Sequence, residues 1–140
     1  ELEELERAVT VLRSLTDTVR KPADLMAYAL CSDPEKAVET LRGAVNGRLL
    51  AVRADKGKVY CLPRSIHKGS ALRRFRERFA VDTAIAAGDS VFDIPMLNAA
   101  EFAIAPQSIA AESLCARTSA AAGGGTFSDE ICDALEALRL

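Results

Sequence analysis

The sequence predicts an α/β chain in two parts: an α+β module, then part of a doubly wound α/β core with a parallel sheet. Three observations predict it. Before Pro63 the order reads α, β, α, β, β, ending in an antiparallel hairpin. After Pro63 short apolar runs alternate with amphipathic segments, the pattern of a parallel sheet. Within that second part, the apolar run Ala84-Ile85-Ala86-Ala87 leads into Gly88-Asp89-Ser90-Val91-Phe92-Asp93-Ile94-Pro95. Two carboxylates therefore stand where a strand gives way to a helix, the edge at which open α/β sheets bind ligands.

Leu2, Leu5, Val9 and Leu12 recur at helical spacing, so the first 18 or so residues read as an amphipathic helix ended by Lys21-Pro22. Leu25 to Cys31 is an apolar strand. Asp33-Pro34-Glu35 then starts a helix: a capping Asp, Pro at the first position and an acid in the first turn. Val38, Leu41 and Val45 form its apolar stripe, and Asn46-Gly47 stops it. Leu49–Ala54 and Lys58–Leu62 flank Asp55-Lys56-Gly57 as a hairpin with a short Gly-containing turn.

Beyond Pro63 a helix is expected from about Gly69 to Phe79, with Leu72, Phe75 and Phe79 on one face. A strand follows over about Thr83–Ala87, then a helix over about Asp93–Asn98. Next come a strand at Phe102–Ala105, a helix from about Ser108 and a weaker strand at Leu114–Thr118. Gly123-Gly124-Gly125 is a flexible break. Ser128 caps a final helix with Ile131, Leu135 and Leu138 inward. The domains are thus 1–63 and 64–140.

Composition narrows the function. The 140 residues amount to about one domain in length, and 49% hydrophobic with 27% charged residues is ordinary for a soluble globular protein. A net charge of -2 offers no electrostatic case for nucleic acid, and Trp is absent, so base-stacking platforms are not expected. In the run Arg73-Arg74-Phe75-Arg76-Glu77-Arg78, Arg73, Arg74 and Arg78 face away from Leu72, Phe75 and Phe79 on a helix while Arg76 flanks them, and the run reads as a solvated face. No apolar run approaches the ~18 residues of a membrane span, and the acidic start Glu1-Leu2-Glu3-Glu4 is not a signal peptide. Cys31, Cys61, Cys115 and Cys132 form no C-x-x-C pair and read as structural thiols in a reducing, cytoplasmic compartment. The start at Glu1, without Met, points to a processed or partial chain.

Asp89 and Asp93 are hard oxygen donors of the kind Mg²⁺ takes, along with waters and phosphate oxygens. Each also has a plain reading, as a turn residue or a helix cap. Lys68 stands at the mouth of the Gly69–Phe79 helix, where free N–H groups and a partial positive charge favour a phosphate. His67 reads as a partly exposed loop residue beside it. Gly123-Gly124-Gly125 has no following Lys-Ser/Thr, so it reads as a loop and not a phosphate cradle.

Lys68-Gly69-Ser70-Ala71-Leu72 followed by Ala87-Gly88-Asp89-Ser90-x-x-Asp93-Ile94-Pro95-Met96-Leu97 resembles the C-terminal half of a haloacid-dehalogenase-superfamily phosphatase of the Cof type, which carries a large inserted α/β cap. The resemblance is strong over about Ile66–Pro106. The module before Pro63 is similar to the closing part of that cap in pattern only. The resemblance implies a partial Rossmannoid core preceded by part of the cap. It also implies a phosphatase acting on a small phosphorylated metabolite through an aspartyl-phosphate. Lys68 would steady the phosphate and the charged nucleophile. Asp89 would ligate Mg²⁺, Asp93 would support the metal directly or through water, and Ser90 would help hold the loop. A metal and a lysine offset charge developing on phosphoryl oxygens.

Two departures stand out. Phe92 occupies a position where family members often carry Asn. The family's Asp-x-Asp nucleophile motif occurs nowhere in the chain. The family would place that motif before Glu1, on a strand pairing beside Thr83–Ala87. The expectation is therefore an inactive C-terminal segment whose sheet is completed by an N-terminal segment or another chain. Two other readings compete. Gly-Asp-Ser after a strand also resembles the start of GDS-type esterases, but the only histidine, His67, precedes Ser90. The chain also reads as a noncatalytic metal-binding or interaction fragment.

Overall fold

Leu5, Ala8, Val9 and Leu12 are all buried along one stripe of α1 (Leu2–Leu15), as their spacing requires. The computed structural model describes residues 1–115, 117–120 and 126–138. The chain divides into two compact units, Glu1–Ile66 and His67–Leu140.

In the first unit α1 is followed by β1 (Ala27–Leu30), α2 (Pro34–Ala44), β2 (Leu50–Asp55) and β3 (Lys58–Pro63). The Asp33 carboxylate accepts from the Lys36 N–H at 3.0 Å, and Pro34 takes the first helical position, so α2 starts where the sequence places it. The hairpin turns on Lys56 and Gly57, both with positive φ (47° and 77°), as a two-residue type I′ connection demands. The three strands are antiparallel in the order β1-β3-β2. Ala27, Ala29, Val59 and Cys61 point to the helices and are fully buried; Tyr28 and Tyr60 point the other way, their rings 5.9 Å apart. Leu5, Leu12, Leu41 and Leu50 complete the core. Truncating any one of them to Ala should cost about 2–5 kcal/mol. Burial pushes the Cys61 thiol up to about 12, with Cys31 adding to the rise, so Cys61 is an inert structural thiol.

The second unit runs α3 (Lys68–Phe79), β4 (Ile85–Ala87), α4 (Ile94–Leu97), β5 (Phe102–Ala105), α5 (Gln107–Ala110), β6 (Thr118–Ala120) and α6 (Phe127–Ala137). Its strands are parallel in the order β4-β5-β6. Small residues dominate its core: Ala86, Ala103 and Ala105 pack with Leu97 and Ile109. On the side away from β5, β4 has no neighbouring strand among the described residues.

Three expectations need correction. The third parallel strand begins at Thr118, where the sequence reading ends it. Asn98 Oδ1 accepts from the Leu114 N–H at 2.6 Å and from Ser113 Oγ at 3.1 Å, which ties that stretch into a loop and leaves Leu114 exposed. Thr126, not Ser128, caps the last helix, because Thr126 and Asp129 have capping-box spacing and exchange both bonds. No residue of α6 is fully buried, and Leu135 is exposed. A three-stranded sheet offers its flanking helices little surface. The apolar face of α3 is also open, with Phe75 and Phe79 exposed and their rings 4.7 Å apart. Gly123-Gly124-Gly125 lies outside the described residues.

Candidate active site

Gly88 directly follows β4 and decides what can stand beside it. A Cβ at this position would lie 2.3 Å from Asp93 Cβ and 2.7 Å from its Cγ. Only glycine lets the Asp93 side chain fold back against the strand end. Asp93 sits at the N-cap of α4, and its N–H donates to Ser90 O at 2.9 Å, closing a turn.

Asp93 is 3% exposed, and every donor it needs is supplied locally. Its Oδ2 accepts from the N–H groups of Asp89 and Ser90, each at 3.1 Å, and from Ser90 Oγ at 3.2 Å. Its Oδ1 accepts from the Lys68 ammonium. Ser90 Oγ in turn accepts from the Phe92 N–H at 3.2 Å. The short loop is thus wound around one carboxylate.

Lys68 reaches this carboxylate because of how α3 begins. His67 Nδ1 accepts from the Ser70 N–H at 3.1 Å, and Ser70 Oγ accepts from the His67 N–H at 3.2 Å. This is a capping box with an imidazole in place of the usual hydroxyl. One residue beyond Lys68, Gly69 is buried, and a Cβ there would lie 2.1 Å from Pro95 O. The backbones of α3 and α4 therefore meet directly, which carries Lys68 to the loop.

Burial alone would raise the Asp93 pKa. The Lys68 ammonium and the Ser90 donors outweigh it and hold the carboxyl below its ordinary value, so Asp93 is an anion. Burial, with Arg73 adding to it, lowers the His67 pKa and keeps the imidazole neutral, as an accepting Nδ1 requires.

Of the residues singled out in the sequence, Lys68, Ser90 and Asp93 meet in one network. Asp89 joins it through its N–H and is itself exposed. Phe92 is half-buried. The bonding partners of Ser90 Oγ are Asp93 and Phe92, neither of them the histidine that the esterase reading needs. Among the described residues no three His, Cys, Asp or Glu side chains converge on a metal position. The donors still fit Mg²⁺, which takes one or two carboxylates and fills its remaining positions with waters and phosphate oxygens. Asp89 offers the open carboxylate, whereas both Asp93 oxygens already accept bonds.

Sequence reasoning missed three parts of this arrangement. His67 is a helix cap, signalled by its spacing to Ser70. Gly69 and Gly88 are close-approach positions, signalled only by standing beside Lys68 and Asp89. Arg76 does not share the solvated face of Arg73, Arg74 and Arg78. It donates to Val81 O at 3.1 Å, Asp82 O at 2.6 Å and Ala99 O at 3.3 Å and pairs with Glu101 at 2.7 Å, tying α3 to the approach to β4.

The structure resembles several solved proteins. A Thermoplasma acidophilum protein matches at a TM-score of 0.69 with 16% identity, over 98% of this chain and 62% of its own. The sucrose-phosphatase of Synechocystis, solved with sucrose and phosphate, matches at 0.64 with 16% identity, over 98% of this chain and 65% of its own. The trehalose-6-phosphate phosphatase of Aspergillus fumigatus matches at 0.54 with 13% identity, over 94% and 57%. The chain thus spans about three fifths of the length of these relatives in fold. No curated protein matches it in sequence. The family model for haloacid dehalogenase-like hydrolases matches residues 5–112, more than half of the chain. With a parallel α/β unit that fits part of that family's core, the chain belongs to the haloacid dehalogenase-like hydrolases.

Proposed function

We propose that these 140 residues are the C-terminal cap-and-core segment of a Mg²⁺-dependent phosphomonoester hydrolase. Residues 1–63 belong to the cap and 64–140 to the core. The observation that carries the reading is the convergence of Lys68 and the Asp89–Asp93 loop on one buried carboxylate. The substrate is a small phosphorylated metabolite, a sugar phosphate in the first instance. Support for that class comes from family membership and from two relatives in fold that are named as sugar-phosphate phosphatases.

Lys68 binds the phosphate of the substrate. Asp89 holds the cation, which when bound offsets charge on the phosphoryl oxygens. Asp93 and Ser90 hold the loop that presents Asp89, so Asp93 acts on the cation through the backbone it fixes. The nucleophile is an aspartate outside these residues, on a strand that pairs with the open side of β4. It attacks phosphorus, the ester oxygen leaves, and water then releases phosphate from the aspartyl-phosphate. The protein works in the cytoplasm.

The test starts with the reading frame upstream of Glu1. An Asp-x-Asp on a predicted strand is expected there. The extended protein should hydrolyse members of a phosphate-ester panel, and Asp89→Ala should lower kcat by orders of magnitude. The 140 residues alone should show no turnover. Turnover by them that disappears in Asp89→Ala would overturn the assignment of the nucleophile to another segment. An upstream frame without any such motif would favour a noncatalytic metal-binding or interaction fragment.

A further inference from the structure

Little buried surface holds the helix that carries Lys68. Gly69 alone among the residues of α3 is buried, and the rings of Phe75 and Phe79 are exposed. The Lys68–Asp93 pair anchors the helix weakly, because water reaches the lysine side chain and screens the attraction. Two firmer attachments stand out: the close approach of Gly69 to the Pro95 carbonyl, and the guanidinium of Arg76.

Arg76 is bonded at four places. All three guanidinium nitrogens donate to backbone carbonyls, those of Val81, Asp82 and Ala99, and Nη1 also pairs with Glu101. The Arg76 carbonyl accepts from the Val81 N–H at 3.1 Å, so these two residues are bonded in both directions. Glu101 is itself fixed: its Oε2 accepts from the Ala84 N–H at 2.8 Å, and its N–H donates to Ala84 O at 3.1 Å. Closing the end of α3 accounts for the Val81 bonds. It does not account for the bonds to Ala99, just past α4, and to Glu101, just before β5. Those fix α3 against its neighbours, and the planar fork sets the geometry at each.

Gly69 and Arg76 stand about two helical turns apart, so both lie on one side of α3. A helix attached at two points along one side is fixed in tilt and in roll. Released at Arg76, it would pivot on Gly69. Lys68, next to the pivot and about 100° round the helix from it, would then swing off the Asp93 carboxylate. We propose that Arg76 is a positioning residue for Lys68, fixing α3 so that the ammonium stays over the Asp89–Asp93 loop. Its effect on catalysis rests on the phosphate-binding role of Lys68 in the phosphatase reading; the placement of the ammonium does not.

Nuclear Overhauser contacts in the 140-residue chain test the placement. The parent should show one contact between the Lys68 ε-methylene and the Asp93 β-methylene, and another between Gly69 and Pro95. Arg76→Lys keeps the charge but not the fork. It should lose the first contact and keep the second. Both contacts kept would show that the fork is not needed; both lost would show a general loss of structure; either result overturns the proposal. The extended protein supplies a second arm, with para-nitrophenyl phosphate as the probe. There Arg76→Lys should lower kcat/KM by about tenfold to a hundredfold. In a Lys68→Ala background it should add almost nothing, because it acts through that residue. Additive losses would overturn the proposal. An extended parent without turnover would overturn the phosphatase reading instead, and the Overhauser contacts would still decide whether Arg76 places Lys68.

Discussion

The Lys68 ammonium donates to Oδ1 of Asp93, yet the two side chains differ sharply in exposure, at 58% for Lys68 and 4% for Asp93. Water therefore reaches one end of the ion pair and not the other. Solvent screens the attraction, and an exposed ammonium gives up little when it leaves. Asp93 keeps three other donors whatever Lys68 does. Lys68 is thus free to turn away at little cost, as the proposed phosphate contact requires, while Asp93 stays as the fixed centre of the loop.

Unequal stakes predict unequal losses. Asp93→Asn removes a charge that accepts four bonds, and should lower the unfolding free energy by about 2–3 kcal/mol. Lys68→Ala should lower it by about 1 kcal/mol or less. Urea unfolding of both variants against the parent chain measures this. Losses of equal size would show that the pair, and not the loop donors, holds the site.

The glycines allow a sharper comparison. A Cβ at Gly88 meets Asp93, and one at Gly69 meets the Pro95 carbonyl, so Gly88→Ala and Gly69→Ala should each cost about 1–3 kcal/mol. Gly43 lies within α2, and a Cβ added there would have nothing within 4 Å, so Gly43→Ala should stabilise by about 0.5–1 kcal/mol. The sign of the change, read from thermal melts, separates close approach from mere helix entropy.

Acid should attack the site through Asp93. Its folded pKa lies below the ordinary 3.8, so the folded chain binds this proton less readily than the unfolded chain. The stability it contributes is fully present above 3.8 and is lost as pH falls through the lowered folded value. Glu1, Glu101 and Asp129 share this direction, so the parent chain must be compared with Asp93→Asn. The variant should show a shallower loss between about pH 4 and 2. An unchanged slope would assign the acid limb to the surface carboxylates.

Much of this arrangement was legible because local chemistry and global packing agree. Asp33-Pro34 starts α2, Lys56-Gly57 turns the hairpin, and Phe102–Ala105 is a strand, all where residue type and spacing place them. The meeting of Lys68 with Asp93 was less visible, because it depends on two glycines whose missing side chains carry no pattern. Leu114 and Cys115 read as strand in the sequence because the partner that holds this stretch as a loop, Asn98, is distant along the chain. The exposed stripe of α3 was legible as apolar, but periodicity says nothing of what covers it. Helical position already separates Arg76, which flanks the apolar residues, from Arg73, Arg74 and Arg78. What it bonds to depends on the Val81, Asp82 and Ala99 carbonyls, which periodicity does not place.

The cap of α3 should respond to pH in a range where Asp93 does not. His67 Nδ1 accepts the Ser70 N–H, and protonation would put a hydrogen on that nitrogen and remove the acceptor. Its folded pKa is lowered from 6.5 by burial first and by Arg73 second; the other charged groups nearby in sequence or across the site are Lys68 and its partner Asp93. The unfolded chain therefore takes up this proton before the folded chain does. The stabilisation is fully present above pH 6.5 and is lost as pH falls through the lowered folded value. The loss should be that of a helix cap, about 1 kcal/mol. His67→Asn supplies an acceptor that does not titrate, so its unfolding free energy should stay level between about pH 7 and 5 while that of the parent falls. Parallel declines in the two proteins would mean that the imidazole does not carry the effect. A level parent would mean that its folded and unfolded pKa values coincide.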